Sequence, residues 1–123
     1  MNVLNIEQSC NTNGTSLKGY VTANYNDLVR VFGEPTYKAE ENGGMDKVWT
    51  EWELEIEVAD EFSLEDPDAS HFVTATIYDW KEYGPDVARS AYNYRWNVGG
   101  FDYEAEDAVQ TALLDRLAKD IAV

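Results

Sequence analysis

The sequence is poor in several residues that most often carry chemistry or cross-linking. It has a single cysteine, Cys10, and a single histidine, His71. One cysteine rules out an internal disulfide, which fits a reducing compartment. No stretch approaches the length of apolar chain needed to span a bilayer. The first residues, MNVLNIEQSC, lack a basic start followed by an apolar run. Neither a membrane span nor a signal peptide is therefore expected, and a cytoplasmic location follows as the expectation. Bases are scarce too: 9 Lys and Arg stand against 24 Asp and Glu, a formal net charge of -15. Such an excess repels phosphates and anionic lipid, which disfavours direct nucleic-acid binding and membrane-surface binding. It favours basic partners, cations or plain solubility.

What is present suffices for a core. The chain has 123 residues, a length suited to one domain, and 44% hydrophobic composition argues against disorder despite the charge. Residues 1–16 are rich in Asn, Ser and Thr and read as an irregular lead-in. LKGYVTA (17–23) reads as a short strand. In NYNDLVRVFGEP, Asn24 is a cap, and Tyr25, Leu28, Val29 and Phe32 fall at helical spacing. Gly33 and Pro35 end that helix. KVWTEWELEIEV alternates with period two, with Trp52, Leu54, Ile56 and Val58 on one face and four glutamates on the other. HFVTATIYDW and AYNYRWNV read as two further strands. Asp102 then caps a final helix whose buried stripe runs through Ala105, Val109, Ala112, Leu113, Leu117 and Ile121. The expectation is an α+β domain over 17–123: an antiparallel sheet of about four strands in the order β-α-β-β-β-α, with two helices packed on one face.

The densest signal is TEWELEIEVADEFSLEDPD, residues 50–68, with nine acids and no base. Alternate strand residues lie roughly 6.6 Å apart, so Glu51, Glu53, Glu55 and Glu57 would form a line about 20 Å long. That is roughly half the linear charge density of one nucleic-acid strand. Asp60, Glu61, Glu65, Asp66 and Asp68 would extend the line, and Asp79, Glu82 and Asp86 are further candidates. Tyr78 and Trp80, expected beside the glutamates, would supply apolar anchoring to a protein partner. Arg95 on the same face would neutralise part of the charge. The bland alternative is a solubilising face that guards against edge pairing, or adaptation to a salt-rich cytoplasm.

Other chemistry is weakly marked. The 60–68 loop lacks the glycine and ligand spacing of an EF-hand, so no metal is assigned. His71 has no Ser or Cys nucleophile set by a motif, and Cys10 has no basic neighbour in sequence to lower its pKa. With 24 acids, close carboxylate pairs arise by chance. The glycine turns NGG and NVGG match no phosphate-binding loop. No cofactor and no catalytic residue is assigned.

Three patterns, VFGEP at 31–35, IYDWKEY at 77–83 and WNVGG at 96–100, together resemble a family of small acidic proteins carried by phages and mobile elements. The resemblance implies an accessory protein acting in the host cytoplasm, of the kind that inhibits restriction or CRISPR systems, sometimes by imitating DNA. It transfers no functional residue. The leading expectation is a non-enzymatic inhibitor that occupies the basic nucleic-acid-binding surface of a host defence protein. The alternatives are an acidic interaction or immunity-type module without mimicry, and a small carboxylate enzyme. The sequence leaves the oligomeric state open, a dimer included.

Overall fold

A computed structural model describes residues 1–8, 10–43, 47–59 and 69–121. In chain order the elements are β1 (Asn2–Glu7), β2 (Ser16–Ala23), α1 (Tyr25–Phe32), β3 (Tyr37–Lys38), a 3-10 turn (Ala39–Asn42), β4 (Thr50–Ala59), β5 (Ser70–Tyr78), α2 (Pro85–Arg89), β6 (Tyr94–Gly100) and α3 (Glu104–Ile121). The fold is α+β with an antiparallel sheet, but about four strands is too few: the described residues form six, in the order β1-β4-β5-β6-β2, with β3 also paired to β4. The expected lead-in at 1–16 contains β1, which pairs with β4 from Asn2↔Ala59 to Glu7↔Glu55. A third helix, α2, occupies the expected connection after β5.

The two-residue period of β4 does what its chemistry requires. Trp52, Leu54, Ile56 and Val58 are buried on one face, while the intervening glutamates stay partly exposed. Val73, Ala75 and Ile77 of β5 and Trp96 and Val98 of β6 join the same core. α1 and α3 cover it with the expected positions, Leu28 and Phe32 from one helix and Ala105, Val109, Ala112 and Leu113 from the other. The side chain of Ile121 lies outside the described residues. Tyr92, expected on the last strand, precedes it and is exposed.

Two indoles organise the core. Trp52 and Trp96 meet edge to face at 5.4 Å between centroids, the geometry their ring quadrupoles favour. Each N–H, buried, needs an acceptor. Trp52 Nε1 donates to the Gly33 carbonyl just after α1, and Trp96 Nε1 to the Ala23 carbonyl just before it. The pair therefore holds both ends of α1. At the N-terminal end, Asn24 Oδ1 accepts from Asp27 N at 2.8 Å. At the other end, Gly33 has φ 86 and ψ -173, a region essentially restricted to glycine. Gln8 Nε2 donates to the carbonyls of Phe32 and Glu34, both at 2.7 Å, fixing β1 to the same turn.

Close approach of α3 to the sheet explains two glycines. A Cβ on Gly100 would lie 2.4 Å from Ala105 Cβ and 3.1 Å from the Thr74 carbonyl oxygen. A Cβ on Gly19 would lie 1.8 Å from Glu106 Oε2. That carboxylate accepts from Tyr20 N at 2.7 Å, and Gln110, one turn further along α3, donates to the Tyr20 carbonyl at 3.0 Å. A helix thus satisfies both backbone groups of one residue on edge strand β2.

The two glycines should respond differently. Gly100→Ala forces backbone apart and should cost about 1–3 kcal/mol in urea melts. Gly19→Ala displaces only a flexible carboxylate and should cost about 1 kcal/mol, the worth of the lost hydrogen bond. In a Glu106→Ala background the Gly19→Ala cost should vanish. Additive costs in that double-mutant cycle would refute the account.

Candidate functional site: the outer face of the sheet

The described helices pack on one side, so the other face of the sheet carries the second set of alternating residues. Glu51, Glu53, Glu55 and Glu57 stand in a row there, each partly exposed. Their neighbours follow from register. Tyr78, Thr76, Thr74 and Phe72 of β5 face Glu51, Glu53, Glu55 and Glu57 respectively. On the other side Glu7 of β1 pairs with Glu55, adding a carboxylate that the reading of 1–16 as irregular had hidden.

The row is not continuous open surface. β1 and β2 are the two ends of the five-strand path, four spacings apart, and only residues 8–15 join them. Four spacings are roughly 19 Å, and eight residues reach at most about 27 Å. The segment therefore reaches across with slack to spare, which turns at 11–15 take up. It crosses on the outer face: Thr12 Oγ1 donates to Glu53 Oε1 at 3.3 Å, and Gly14 approaches the Phe101 ring. Thr15 closes a turn on the Thr12 carbonyl, and Asn11 Oδ1 accepts from Asn13 N. Cys10 lies in this strap. Burial pushes its thiol up, and Glu53 and Glu55 push it further, so it is a poor nucleophile.

The strap divides the face. On its lower side are Glu51, Tyr78 and Trp80. Tyr78 is half-buried against Trp80, with ring centroids 6.2 Å apart. Trp80 is exposed, but Lys47 and Lys81 lie 5.8 and 5.9 Å from its ring centroid. Arg95, on the same face, stacks on Tyr20 at 4.2 Å. The aromatics expected to anchor a partner thus sit at the cationic end of the surface. On the upper side are Glu55 and Glu57, the exposed Phe72 and Phe101, and Ser70, whose hydroxyl donates to Glu57 Oε2 at 2.7 Å. Asp60, Glu61, Glu65, Asp66 and Asp68 lie outside the described residues.

Three acids proposed to lengthen the row do not. Asp79 continues the inward alternation of Val73, Ala75 and Ile77 and is fully buried. Its Oδ1 accepts from Trp49 N at 2.8 Å and Thr50 N at 3.1 Å. Among the described residues its Oδ2 has no hydrogen-bond partner, and burial holds its pKa above the usual carboxylate value. Glu82 accepts from the Tyr94 hydroxyl at 2.6 Å, beside the core, and Asp86 rides on α2 on the helix side. Arg89, also from α2, makes a two-pronged pair with Glu40 and donates through Nε to Thr50 Oγ1 at 2.8 Å. This pairing pulls the Glu40 carboxyl down.

His71 pairs with Glu104 at 2.6 Å, joining the start of β5 to the first turn of α3. The cavity beside it is about 150 Å³; the described residues that line it are Met1, Val58, Ala59, His71 and Glu104, with no Ser or Cys among them. Among the described residues no group of three or more His, Cys, Asp or Glu could hold a metal ion, and no helix is long and apolar enough to cross a membrane. No family model matches the chain, and no curated protein or solved structure matches it either.

Glu40 and Asp79 should give opposite pH signatures. A lowered carboxylate contributes stability present above its unfolded value, about 4.3, and loses it as pH falls through the folded value. A raised one contributes most below its unfolded value, about 3.9, and loses that contribution as pH rises through the folded value. In urea melts, the advantage of wild type over Glu40→Gln should shrink on acidification. Wild type should lose ground to Asp79→Asn as pH rises. Parallel curves in either comparison would overturn the corresponding assignment.

Proposed function

We propose that the chain is a non-enzymatic acidic binding protein that engages a basic protein surface through the outer face of its sheet. The observation that carries this reading is the placement of Glu51, Glu53, Glu55, Glu57 and Glu7 on the face that none of the described helices covers. Held on paired strands, these carboxylates are preorganised, and little ordering entropy is lost on binding. With a net charge of -15, association with a basic partner is steered and fast at low salt.

The finer proposal is an inhibitor, phage-encoded and acting in the host cytoplasm, that occupies the nucleic-acid groove of a defence nuclease or CRISPR effector. The charge and the resemblance in VFGEP, IYDWKEY and WNVGG support it. A second reading, protein binding without mimicry, is favoured by a specific observation. The strap interrupts the glutamate row, and Lys47, Lys81 and Arg95 occupy the lower part of the same face. A surface divided in this way is a poorer copy of a phosphate backbone than an unbroken line.

The test is affinity capture from nuclease-treated bacterial lysate, with wild type and with Glu53→Gln combined with Glu55→Gln. A basic nucleic-acid-binding protein should be retained at low salt and lost at about 0.5 M, where the Debye length falls to a few ångströms. The double variant should retain less of it and associate more slowly. Equal capture by the variant would remove β4 as the contact. A salt-resistant partner without a nucleic-acid groove would decide for the second reading.

A further inference from the structure

The upper half of the outer face carries a feature that charge alone does not explain. Phe72 and Phe101 are 62% and 55% exposed, although each follows or precedes a well-packed strand position. They are neighbours. Both line a shallow cleft of about 90 Å³ whose other walls include Thr74 and Asp102. Phe72 stands directly across from Glu57, and Thr74 across from Glu55. On the far side, Asp102 and Glu104 begin α3. The strap passes below, with Gly14 3.6 Å from the Phe101 ring measured from a Cβ position. Two phenyl rings are therefore bracketed by carboxylates on both flanks.

We infer that this cleft is the anchoring point of the proposed binding face and takes one aliphatic side chain of a basic protein segment, with flanking Lys or Arg meeting Glu55 and Glu57. The inference rests on the reading of the face as a site for basic proteins and assigns its centre. Charge selects the occupant. A nucleic acid or an anionic lipid surface would meet carboxylates on both flanks. A second copy of this chain would bring like charges together. A basic segment gains on both counts, because its apolar residue covers the rings while its cations pair with acids. Glu57 has room for this, since a carboxylate offers about four acceptor positions and Ser70 uses one. Asp102 and Glu104 are partly engaged, by Glu104 N and by His71, and serve as the second flank. The cleft admits a single side chain, so the contact is a small hot spot inside a charged rim.

The experiment uses the full chain, isotopically labelled for NMR, and two short lysine peptides that differ only in a central leucine or serine. The leucine peptide should bind roughly tenfold more tightly, the order expected for desolvating one aliphatic side chain. Its shift changes should centre on Phe72, Thr74, Phe101 and Glu57. Replacing Phe72 and Phe101 together by Thr, which keeps the strand preference at Phe72 in β5 and a small polar residue in the bend after β6, should abolish the leucine advantage. Serine-peptide binding and the melting temperature should remain unchanged. Equal affinity for the two peptides, with shifts along the glutamates, would sink the cleft and leave the charge reading standing. Shifts centred on Tyr78 and Trp80 would move the anchor to the lower half and overturn the inference. Failure of both peptides to bind at low salt would overturn the charge reading as well.

Discussion

The edge-to-face contact of Trp52 and Trp96 is the constraint on which the other parts depend. One ring comes from β4 and the other from β6, so the contact spans the sheet beneath the helices. Because both indoles are wholly buried, their N–H groups must be answered within the protein. The acceptors are the carbonyls that bracket α1, so one pair of rings sets sheet packing and helix position together. Tyr25 adds a tilted contact to Trp52, and Tyr94 an edge-to-face contact to Trp96. With α1 fixed, its exit at Gly33 is fixed. Gln8 and Thr36 meet there, and Thr36 Oγ1 accepts from Glu53 N in the gap between β1 and β3. The glutamate row is thus aligned by interactions that begin in the core.

The outer face depends on how the chain joins its two sheet edges. A connection from β1 to β2 has to pass over one face or the other, and the helices occupy one. The strap takes the other, and it divides the row at Glu53. Charge on this protein is accordingly organised in patches of different character. Below the strap, aromatic rings are covered by the protein's own cations. Above it, aromatic rings are framed by acids. Net charge describes neither patch.

Legibility in the sequence followed the regularity of the pattern. β4 was plain because every second residue from Trp52 to Val58 is large and apolar. α1 was plain because cap, stripe and stop agree. β1 was not, for a physical reason: its register shifts between Val3 and Asn5, so the inward residues Val3 and Ile6 are three apart instead of two. β3 and α2 are too short for any period to show. The inward position of Asp79 was available from the alternation through Val73, Ala75 and Ile77, but a carboxylate there conflicts with the expectation for a core. The site divides in the same way. Glu51 to Glu57 were readable as a face. Glu7, the strap and the meeting of Phe72 with Phe101 arise from pairings between distant segments, which no local pattern records.

The clamp of Glu106 and Gln110 on Tyr20 has a consequence for the molecule among its own copies. A free strand edge is a template on which identical chains stack and grow. Here α3 takes both backbone groups that an incoming strand would need at the middle of β2, and its acceptor is itself an anion. The register shift of β2 between Leu17 and Gly19 adds a second guard beside the same point. The guard on this edge is built from two side chains one helical turn apart.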